Sequence, residues 1–376
     1  MRGRNEGSIY QRKDGRWAAS ITIGWENGKR RRKAFYGKTR AEVATKLTAA
    51  LKAHQDGLPL SRERKTCGQF LDGWIESVKP TLRPRTWTRY ESLIRIHALP
   101  EIGRLPLAKI GPEHLERLYA RLLVAGQSPA SVRQLHAVLH GALKQAARWG
   151  LVGRNVADLV SAPRVPRHEI RALSPDEAKR LLDAAQGERL EAIYVIALTA
   201  GLRLGELLAL RWADVDTDAG TLRVTGTLQR TRGCIEIAEP KTKQSRRRVE
   251  LTTRAIDALR RHKAAQNAER LALGEAWLDR DLVFCNERGD YLNDSHLRRR
   301  SFLPLLERAG LPRTFRFHDL RHSAASLLLG MGTHPKIVSE MLGHSTISIT
   351  LDLYSHVTPT MGREAAVAMD AALGGG

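Results

Sequence analysis

The first part of the chain alternates apolar and polar positions with the period of β-strands. The alternation covers residues 8–10, 17–25 and 30–36, and turn residues rich in Gly, Asn and Asp separate the three runs. Thr39, followed three residues later by Glu42, predicts the capped start of a helix. The apolar stripe of this helix consists of Val43, Leu47 and Leu51. The pattern predicts a three-stranded sheet with one helix packed on one face.

Beyond residue 65 the apolar positions take on helical spacing. The first predicted helix is lined by Phe70, Trp74 and Val78. Three more helices are predicted at 86–97, 111–124 and 128–150. The pattern therefore predicts a small bundle of four or five helices.

The pattern in the last part of the chain predicts further helices around a small antiparallel sheet. Ser174 and Pro175, followed by two acids, form a strong helix start, and the next helix, at 190–199, is almost wholly apolar. Strands are predicted at 221–228, 233–238, 247–251 and 282–285, and later helices from 252 and at 296–309. Three short helices are then predicted between Arg316 and Tyr354, the second of them capped by Thr333.

Two segments rich in proline, glycine and charge, at 55–65 and 161–168, interrupt these patterns and are typical of linkers. They predict three domains, with boundaries at 1–58, 65–162 and 170–376. The expected fold class is α+β and multidomain. A small three-stranded β-sheet with a helix comes first, then a helical domain, then a mostly helical domain with a small antiparallel sheet.

The charge of the chain favours a polyanionic partner. It contains 62 Lys and Arg against 40 Asp and Glu, a formal net charge of +22, which makes nucleic acid the leading candidate. A generally basic protein is the plain alternative. The strongest local run lies in the predicted hairpin and consists of Lys29, Arg30, Arg31, Arg32 and Lys33. We expect these strands to contact a DNA groove, although a solvated hairpin would show the same run.

Four other arginines are candidate contacts to the DNA backbone, and the first two could equally be ordinary surface charges. They are Arg85, Arg89, Arg246 and Arg247.

Three widely spaced cysteines, without a C-x-x-C pair, indicate neither disulfides nor zinc. The start of the chain has no apolar core of a signal peptide, and no apolar run approaches the length of a membrane span, so we expect a soluble, cytoplasmic protein with no membrane partner.

One short segment has part of the sequence pattern of a calcium-binding loop. Residues 214–220 resemble the first positions of an EF-hand calcium loop. Ala219 stands where that loop needs glycine, and Thr225 stands where it needs its bidentate acid. A turn that opens a β-sheet is the better interpretation, and no metal or other cofactor is expected.

Polar side chains suited to phosphodiester chemistry are concentrated near the end of the chain. His318 and Arg321 are three residues apart, so a helix would present both on one face. His344 follows the glycine that should end the next helix, and Tyr354 lies on the helix after that. Far upstream, Arg203 and Glu206 also stand three residues apart, and Glu206 is well placed to orient a neighbouring basic group.

These motifs resemble the signature of the tyrosine recombinases, the phage-integrase family. The matching segments are Thr199–Leu207, His318–Arg321, Leu342–Ser345 and Leu353–His356, in the family's order. The family also uses a lysine in a β-hairpin. Lys241 stands in the matching place after a proline, and Lys243, two residues on, is its rival.

The resemblance implies both a mechanism and roles. Tyr354 would attack the DNA phosphate and form a 3′-phosphotyrosine. Arg203, Arg321 and His344 would hold the phosphate oxygens, His318 would accept a proton, and Lys241 would protonate the leaving oxygen. The chemistry would need neither metal nor ATP.

The resemblance also names the domains and partners. The first domain would bind arm-type DNA sites, the helical domain would be the SAM-like core-binding domain, and the third would be catalytic. Double-stranded DNA with core-type and arm-type attachment sites, a homotetramer on DNA, and accessory directionality and DNA-bending proteins would follow. The activity expected is integration or excision of a mobile element. Alternatives are a DNA-binding regulator without catalysis and DNA relaxation of the topoisomerase IB type.

Overall fold

The computed structural model describes residues 7–26, 29–55, 65–166, 171–231, 234–239, 246–348 and 350–351, together with residues 367, 369–371 and 373. The chain divides into two compact units, residues 1–167 and 168–376. Lys241, Lys243, Tyr354 and His356 lie outside the described residues, as do the side chains of residues 29–31.

The first unit begins with an antiparallel sheet of three strands in the order β1-β2-β3. The elements are β1 (Ser8–Gln11), β2 (Trp17–Glu26), β3 (Lys29–Gly37) and helix α1 (Arg40–Gln55). The Thr39 hydroxyl accepts a hydrogen bond from the Glu42 amide, so the predicted cap is confirmed. Alternate residues of β2 pack on α1, and the buried set is Ala19, Ile21, Val43 and Leu47. The predicted sheet and helix are therefore confirmed.

Five α-helices form most of the first unit's described residues beyond residue 65. They are α2 (Cys67–Val78), α3 (Pro84–Leu93), α4 (Leu99–Ile102), α5 (Pro112–Val124) and α6 (Pro129–Arg148). A π-helical turn at Ile94–Ala98 joins α3 to α4. The predicted helices are confirmed, except that α3 begins at Pro84 and not at Thr86, because proline is well accommodated in the first helical turn. Thr66 and Gln69 cap α2 reciprocally.

The second unit opens with three helices that lead into short strands. The helices are α7 (Pro175–Ala184), α8 (Glu191–Thr199) and α9 (Leu204–Leu207). Ser174 and Glu177 form the capping box of α7, as predicted. Every residue of α8 from Glu191 to Leu198 is buried, which explains its lack of a polar face. Helix α8 is thus the centre of this unit's core.

In the part of the second unit that the structure describes, the strands form two small antiparallel sheets and not one. They are β4 (Val215–Asp216), β5 (Thr221–Val224), β6 (Thr227–Thr231), β7 (Cys234–Ala238) and β8 (Arg247–Glu250). Strand β5 lies between β4 and β8, whereas β6 pairs with β7. The single strand predicted at 221–228 is wrong because the chain changes sheets at residues 225–226, where a Cβ on Gly226 would overlap with Ile237.

The turn between β4 and β5 is built by a side chain. The Asp216 carboxylate accepts hydrogen bonds from the amides of Asp218 and Ala219, at 3.1 and 2.7 Å. The predicted turn at the opening of a sheet is therefore confirmed.

Five further α-helices lie between residues 253 and 342 of the second unit, where the whole chain is described. They are α10 (Thr253–Leu273), α11 (Asp294–His296), α12 (Leu303–Arg308), α13 (Phe317–Gly330) and α14 (Pro335–Leu342). A π-helical turn at Leu297–Phe302 connects α11 to α12. The strand predicted at 282–285 forms only isolated bridges, from Leu282 to Arg211 and from Cys285 to Tyr291. His334, not Thr333, caps α14, because its ring nitrogen accepts from the Lys336 amide.

None of the helices in the described part of the chain is both long and apolar enough to span a membrane.

Candidate active site

Three distant segments of the second unit meet at the ends of α8 and α14. Gly201 follows α8 with φ of 63°, and a Cβ at this position would overlap with the Leu342 side chain. Gly343 ends α14 in the left-handed conformation, as predicted. Glycine at both positions lets the two chain turns approach closely. The backbone carbonyls of Gly201, Leu342 and Gly343 consequently face arginine side chains.

Arg321 is the most deeply buried of these arginines. It lies on α13, it is 3% exposed, and its Nη1 and Nη2 donate to the carbonyls of Gly201 and Leu342 at 2.7 and 2.6 Å. Burial, followed by the neighbouring charge of Arg203, lowers the pKa of Arg321 to about 9. The group therefore remains a cation at neutral pH. Its remaining N–H donors suit an anion, because a guanidinium has five in a planar fork.

Glu206 holds two further arginines in place. Arg203 donates to this carboxylate from its side chain at 2.7 Å and from its backbone amide at 3.0 Å. The Arg247 Nη2 donates to the same carboxylate at 3.0 Å. Burial alone would raise the pKa of Glu206, but the hydrogen bonds and charges of Arg247 and Arg203 keep it below its ordinary value. Glu206 therefore stays ionised and orients the two guanidinium groups, the kind of role expected for it.

The two arginines held by Glu206 differ in exposure. The Arg203 side chain is 37% exposed and also donates to the Gly343 carbonyl at 3.0 Å. The Arg247 side chain is only 6% exposed, and its Nε donates to the Met341 carbonyl at 2.6 Å. The sequence predicted a DNA-backbone contact for Arg247. Its burial does not support that expectation, and we assign it a supporting role beneath Glu206.

His344 lies directly after Gly343, and its Nδ1 is 2.8 Å from the Thr350 hydroxyl. Burial, followed by the charges of Arg321 and Arg203, lowers the pKa of His344 to about 4. The imidazole is therefore neutral at neutral pH.

His318 and Arg321 lie on the same helix, one turn apart, as the spacing predicted. The His318 ring meets the His322 ring edge to face, with 4.8 Å between centroids. Burial, followed by the charge of Arg321, lowers the pKa of His318. Burial, followed by His318, lowers the pKa of His322 to about 4. Both rings are thus held neutral, the state needed in a proton acceptor.

The first unit has a separate candidate surface, the open face of its sheet. Strand pairing sets Tyr36 opposite Ala18, and Arg32 opposite Thr22, on the face away from α1. Tyr10, Arg32 and Tyr36 are exposed, and the Arg12 guanidinium stacks over the Tyr36 ring at 5.3 Å. Lys33, one residue after Arg32, is opposite the buried Ile21 and is half-buried. Arg32 and Lys33, the two residues of the basic run with described side chains, therefore lie on opposite faces of the sheet.

The remaining predicted DNA contacts lie on exposed surfaces. Arg85 and Arg89 are exposed on α3, and Arg89 donates to Gln134 at 3.0 Å. Arg246 is exposed and pairs with Glu239 at 2.8 Å. In the described part of the chain, no group of three or more His, Cys, Asp or Glu side chains is placed to hold a metal ion.

The sequence reasoning missed Thr350 and His322. His322 directly follows the Arg321 motif, and only the ring contact with His318 distinguishes it. Thr350 could have been noticed as a polar residue in the third of the short helices predicted between Arg316 and Tyr354. Its complete burial in the structure gives it significance.

Matches to proteins of known family cover almost the whole chain. The model of the phage integrase family matches residues 171–361, and the model of the phage integrase N-terminal SAM-like domain matches residues 66–123. A tyrosine recombinase XerC-like protein of Caldanaerobacter subterraneus is 32% identical over 364 residues, covering 91% of this chain and 93% of the relative. An integrase of Streptomyces ambofaciens is 30% identical over 387 residues, covering 98% and 97%.

Solved structures show the same fold. The Tn1549 transposon integrase in complex with transposon right end DNA has a TM-score of 0.69 at 22% identity, covering 82% of this chain and 99% of that one. A lambda integrase dimer bound to a core site has a TM-score of 0.57 at 18% identity, covering 94% and 96%.

Proposed function

This chain belongs to the phage integrase family of tyrosine recombinases and is a site-specific DNA recombinase of the integrase type, and from that premise we propose that Tyr354 is its nucleophile. The Tyr354 oxygen attacks the scissile phosphorus, and the bond from phosphorus to the 5′ oxygen breaks. The product is a 3′-phosphotyrosine, which conserves the bond energy for rejoining. A 5′ hydroxyl of a second strand then attacks the phosphorus and releases the tyrosine.

The single observation that carries this proposal is the convergence of Arg203, Arg321 and His344. These three residues come from distant parts of the sequence. Arg321 donates to the carbonyls of Gly201 and Leu342, and Arg203 donates to the carbonyl of Gly343. His344 directly follows Gly343 in the chain. Two cations and a neutral imidazole form a set of donors suited to a phosphate whose negative charge increases in the transition state. Fixed donors need little reorganisation during the reaction.

The proton transfers use the remaining residues of the proposed set. His318 accepts the phenol proton of Tyr354, because its lowered pKa keeps the ring neutral. Lys241 donates a proton to the departing 5′ oxygen, with Lys243 as the alternative. We expect no metal or ATP to take part, because the arginines supply the positive charge and the phosphotyrosine retains the energy of the broken bond.

DNA is the partner of this chain, and we propose that its domains bind different DNA sites. Residues 1–58 bind arm-type sites through the open face of the sheet, where Arg32 and the exposed tyrosines lie. Residues 65–162 and 170–376 bind the core-type site, and Arg85, Arg89 and Arg246 contact its backbone. Four copies assemble on paired sites, with accessory proteins that bend DNA or set direction. The reaction takes place in the cytoplasm, on the DNA of a mobile element and its host.

Covalent trapping tests the proposal. The full chain is incubated in chelator with a pool of duplexes that carry a nick next to random sequence, so that the cleaved end diffuses away. Wild-type protein should form a denaturant-resistant adduct, and the recovered DNA should share a sequence. Tyr354→Phe should bind the same DNA and form none. An adduct with the Phe variant, or none with wild type despite binding, would reject Tyr354 as the nucleophile.

A further inference from the structure

Thr350 lies six residues after His344 and contacts the candidate site through its hydroxyl. It is 0% exposed, and its hydroxyl lies 2.8 Å from His344 Nδ1. The amides of Thr350 and Leu351 both bond to the Ile347 carbonyl, so a helical turn fixes the threonine backbone. A buried hydroxyl on a fixed backbone has little freedom to choose another partner.

The direction of this hydrogen bond follows from the surroundings of His344. Burial, followed by the charges of Arg321 and Arg203, disfavours a charged imidazole, and a neutral imidazole carries a single N–H. A buried hydroxyl needs an acceptor for its own hydrogen. Among the described residues, His344 Nδ1 is the only hydrogen-bond partner of the Thr350 hydroxyl. With the hydroxyl as donor, Nδ1 accepts, and the single imidazole proton lies on Nε2.

We propose that Thr350 is a positioning residue that selects the Nε2–H tautomer of His344, so that the ring can donate to a non-bridging oxygen of the scissile phosphate. The inference rests on the proposed function. With the other tautomer, a nitrogen lone pair would face the negative oxygen and repel it. Thr350 thus sets the sign of the interaction without touching DNA.

Two substitutions separate the hydroxyl from the shape of the side chain. Thr350→Val keeps the branched shape and removes the donor, whereas Thr350→Ser keeps the donor. In the trapping assay on nicked duplexes, Thr350→Val should slow adduct formation about ten-fold, the value of one hydrogen bond of roughly 1.4 kcal/mol. Thr350→Ser should restore most of the rate. DNA affinity, measured by fluorescence anisotropy, should be the same for all three proteins.

Nitrogen-15 spectra of histidine-labelled protein give a second measurement that does not depend on activity. The His344 signals, assigned by their loss in His344→Gln, should show a protonated Nε2 and an accepting Nδ1 in wild type. Thr350→Val should shift them toward a mixture of tautomers. A merely structural role for Thr350 would leave the tautomer unchanged.

The outcomes distinguish this inference from the proposed function. A protonated Nδ1 in wild type, or a wild-type cleavage rate in Thr350→Val, would overturn the inference and leave the recombinase mechanism standing. If the wild-type protein formed no adduct at all, the proposed function would fail, and the spectra would still decide the tautomer. If Thr350→Val did not fold, the wild-type spectrum and the Ser variant would carry the test.

Discussion

Glu206 is the residue on which the arrangement of two arginines depends. Its carboxylate is buried between Arg203 and Arg247, at 2.7 and 3.0 Å. Removing one partner of a buried ion pair leaves the others as uncompensated charges, which costs far more than losing an exposed pair. Removing the Glu206 charge should therefore both destabilise the fold and release the two arginines from their orientation.

We predict that Glu206→Gln lowers the free energy of unfolding by about 3 kcal/mol. Urea denaturation followed by circular dichroism measures it. The matched control is Asp183→Asn, because Asp183 pairs with Arg254 at 3.1 Å but both side chains are exposed, at 52% and 43%. The control should cost about 0.5 kcal/mol or less. Equal costs for the two variants would contradict a supporting role for the buried carboxylate.

We predict that His322 and His344 make the free energy of unfolding depend on pH. The pKa of each is lowered to about 4, chiefly by burial, whereas histidine in the unfolded chain titrates near about 6.5. As the pH falls from about 6.5 toward about 4, the unfolded state takes up protons that the folded state does not. The free energy of unfolding should therefore decrease through this window and depend less on these two groups below it.

Urea denaturation at several pH values between these limits tests the prediction. The change should be smaller in His322→Gln and in His344→Gln, and smallest in the double variant, because each substitution removes one titrating group. An identical pH dependence in wild type and in the double variant would show that other groups cause the change.

At the scale of elements, Gly201 allows the end of α8 to approach α14. Its φ of 63° and the overlap that a Cβ would make with Leu342 are two separate constraints. Gly187 offers a comparison, because its φ is 79° but a Cβ there would meet nothing within 4 Å. The two glycines thus separate backbone strain from crowding.

We predict that Gly187→Ala lowers the free energy of unfolding by about 1 kcal/mol, the strain of a left-handed alanine. Gly201→Ala should cost roughly 2 kcal/mol more, because α14 must also move away. Since α14 carries the carbonyls that hold Arg203 and Arg321, Gly201→Ala should also slow adduct formation on nicked DNA. Equal stability of the two variants would contradict the close approach of these elements.

At the scale of the whole molecule, a net charge of +22 should make DNA binding depend strongly on salt. Each phosphate that a protein neutralises releases counterions, so affinity falls linearly with salt on logarithmic axes. The open face of the first sheet should contribute to that slope through Arg32, but the half-buried Lys33 should contribute little.

Fluorescence anisotropy of a labelled duplex of random sequence, between about 50 and 200 mM salt, measures the slope. Arg32→Gln should reduce its magnitude by about 1. Lys33→Gln is the matched control, since it removes the same charge from the next residue and should leave the slope almost unchanged. Equal reductions by both variants would show that the open face is not the contact surface.

Much of the fold could be predicted because it depends on local chemistry. The caps at Thr39 and Ser174, the stop at Gly343 and the shared face of His318 and Arg321 are all set within a few residues. Such features depend on hydrogen bonds and periodicity inside one helix. The family was indicated by a different signal, the resemblance of four short motifs that stand in the family's order.

Other features depend on which distant surfaces pack together, so the sequence alone could not decide them. The change of sheet after β5, the burial of Arg247 beneath Glu206, and the separation of Arg32 from Lys33 are of this kind. The clearest case is Thr350. The sequence determined that a threonine lies six residues after His344, but only tertiary packing buried its hydroxyl and left it the imidazole as partner. Burial makes an unpaired polar group costly, and that cost exists only in the folded chain.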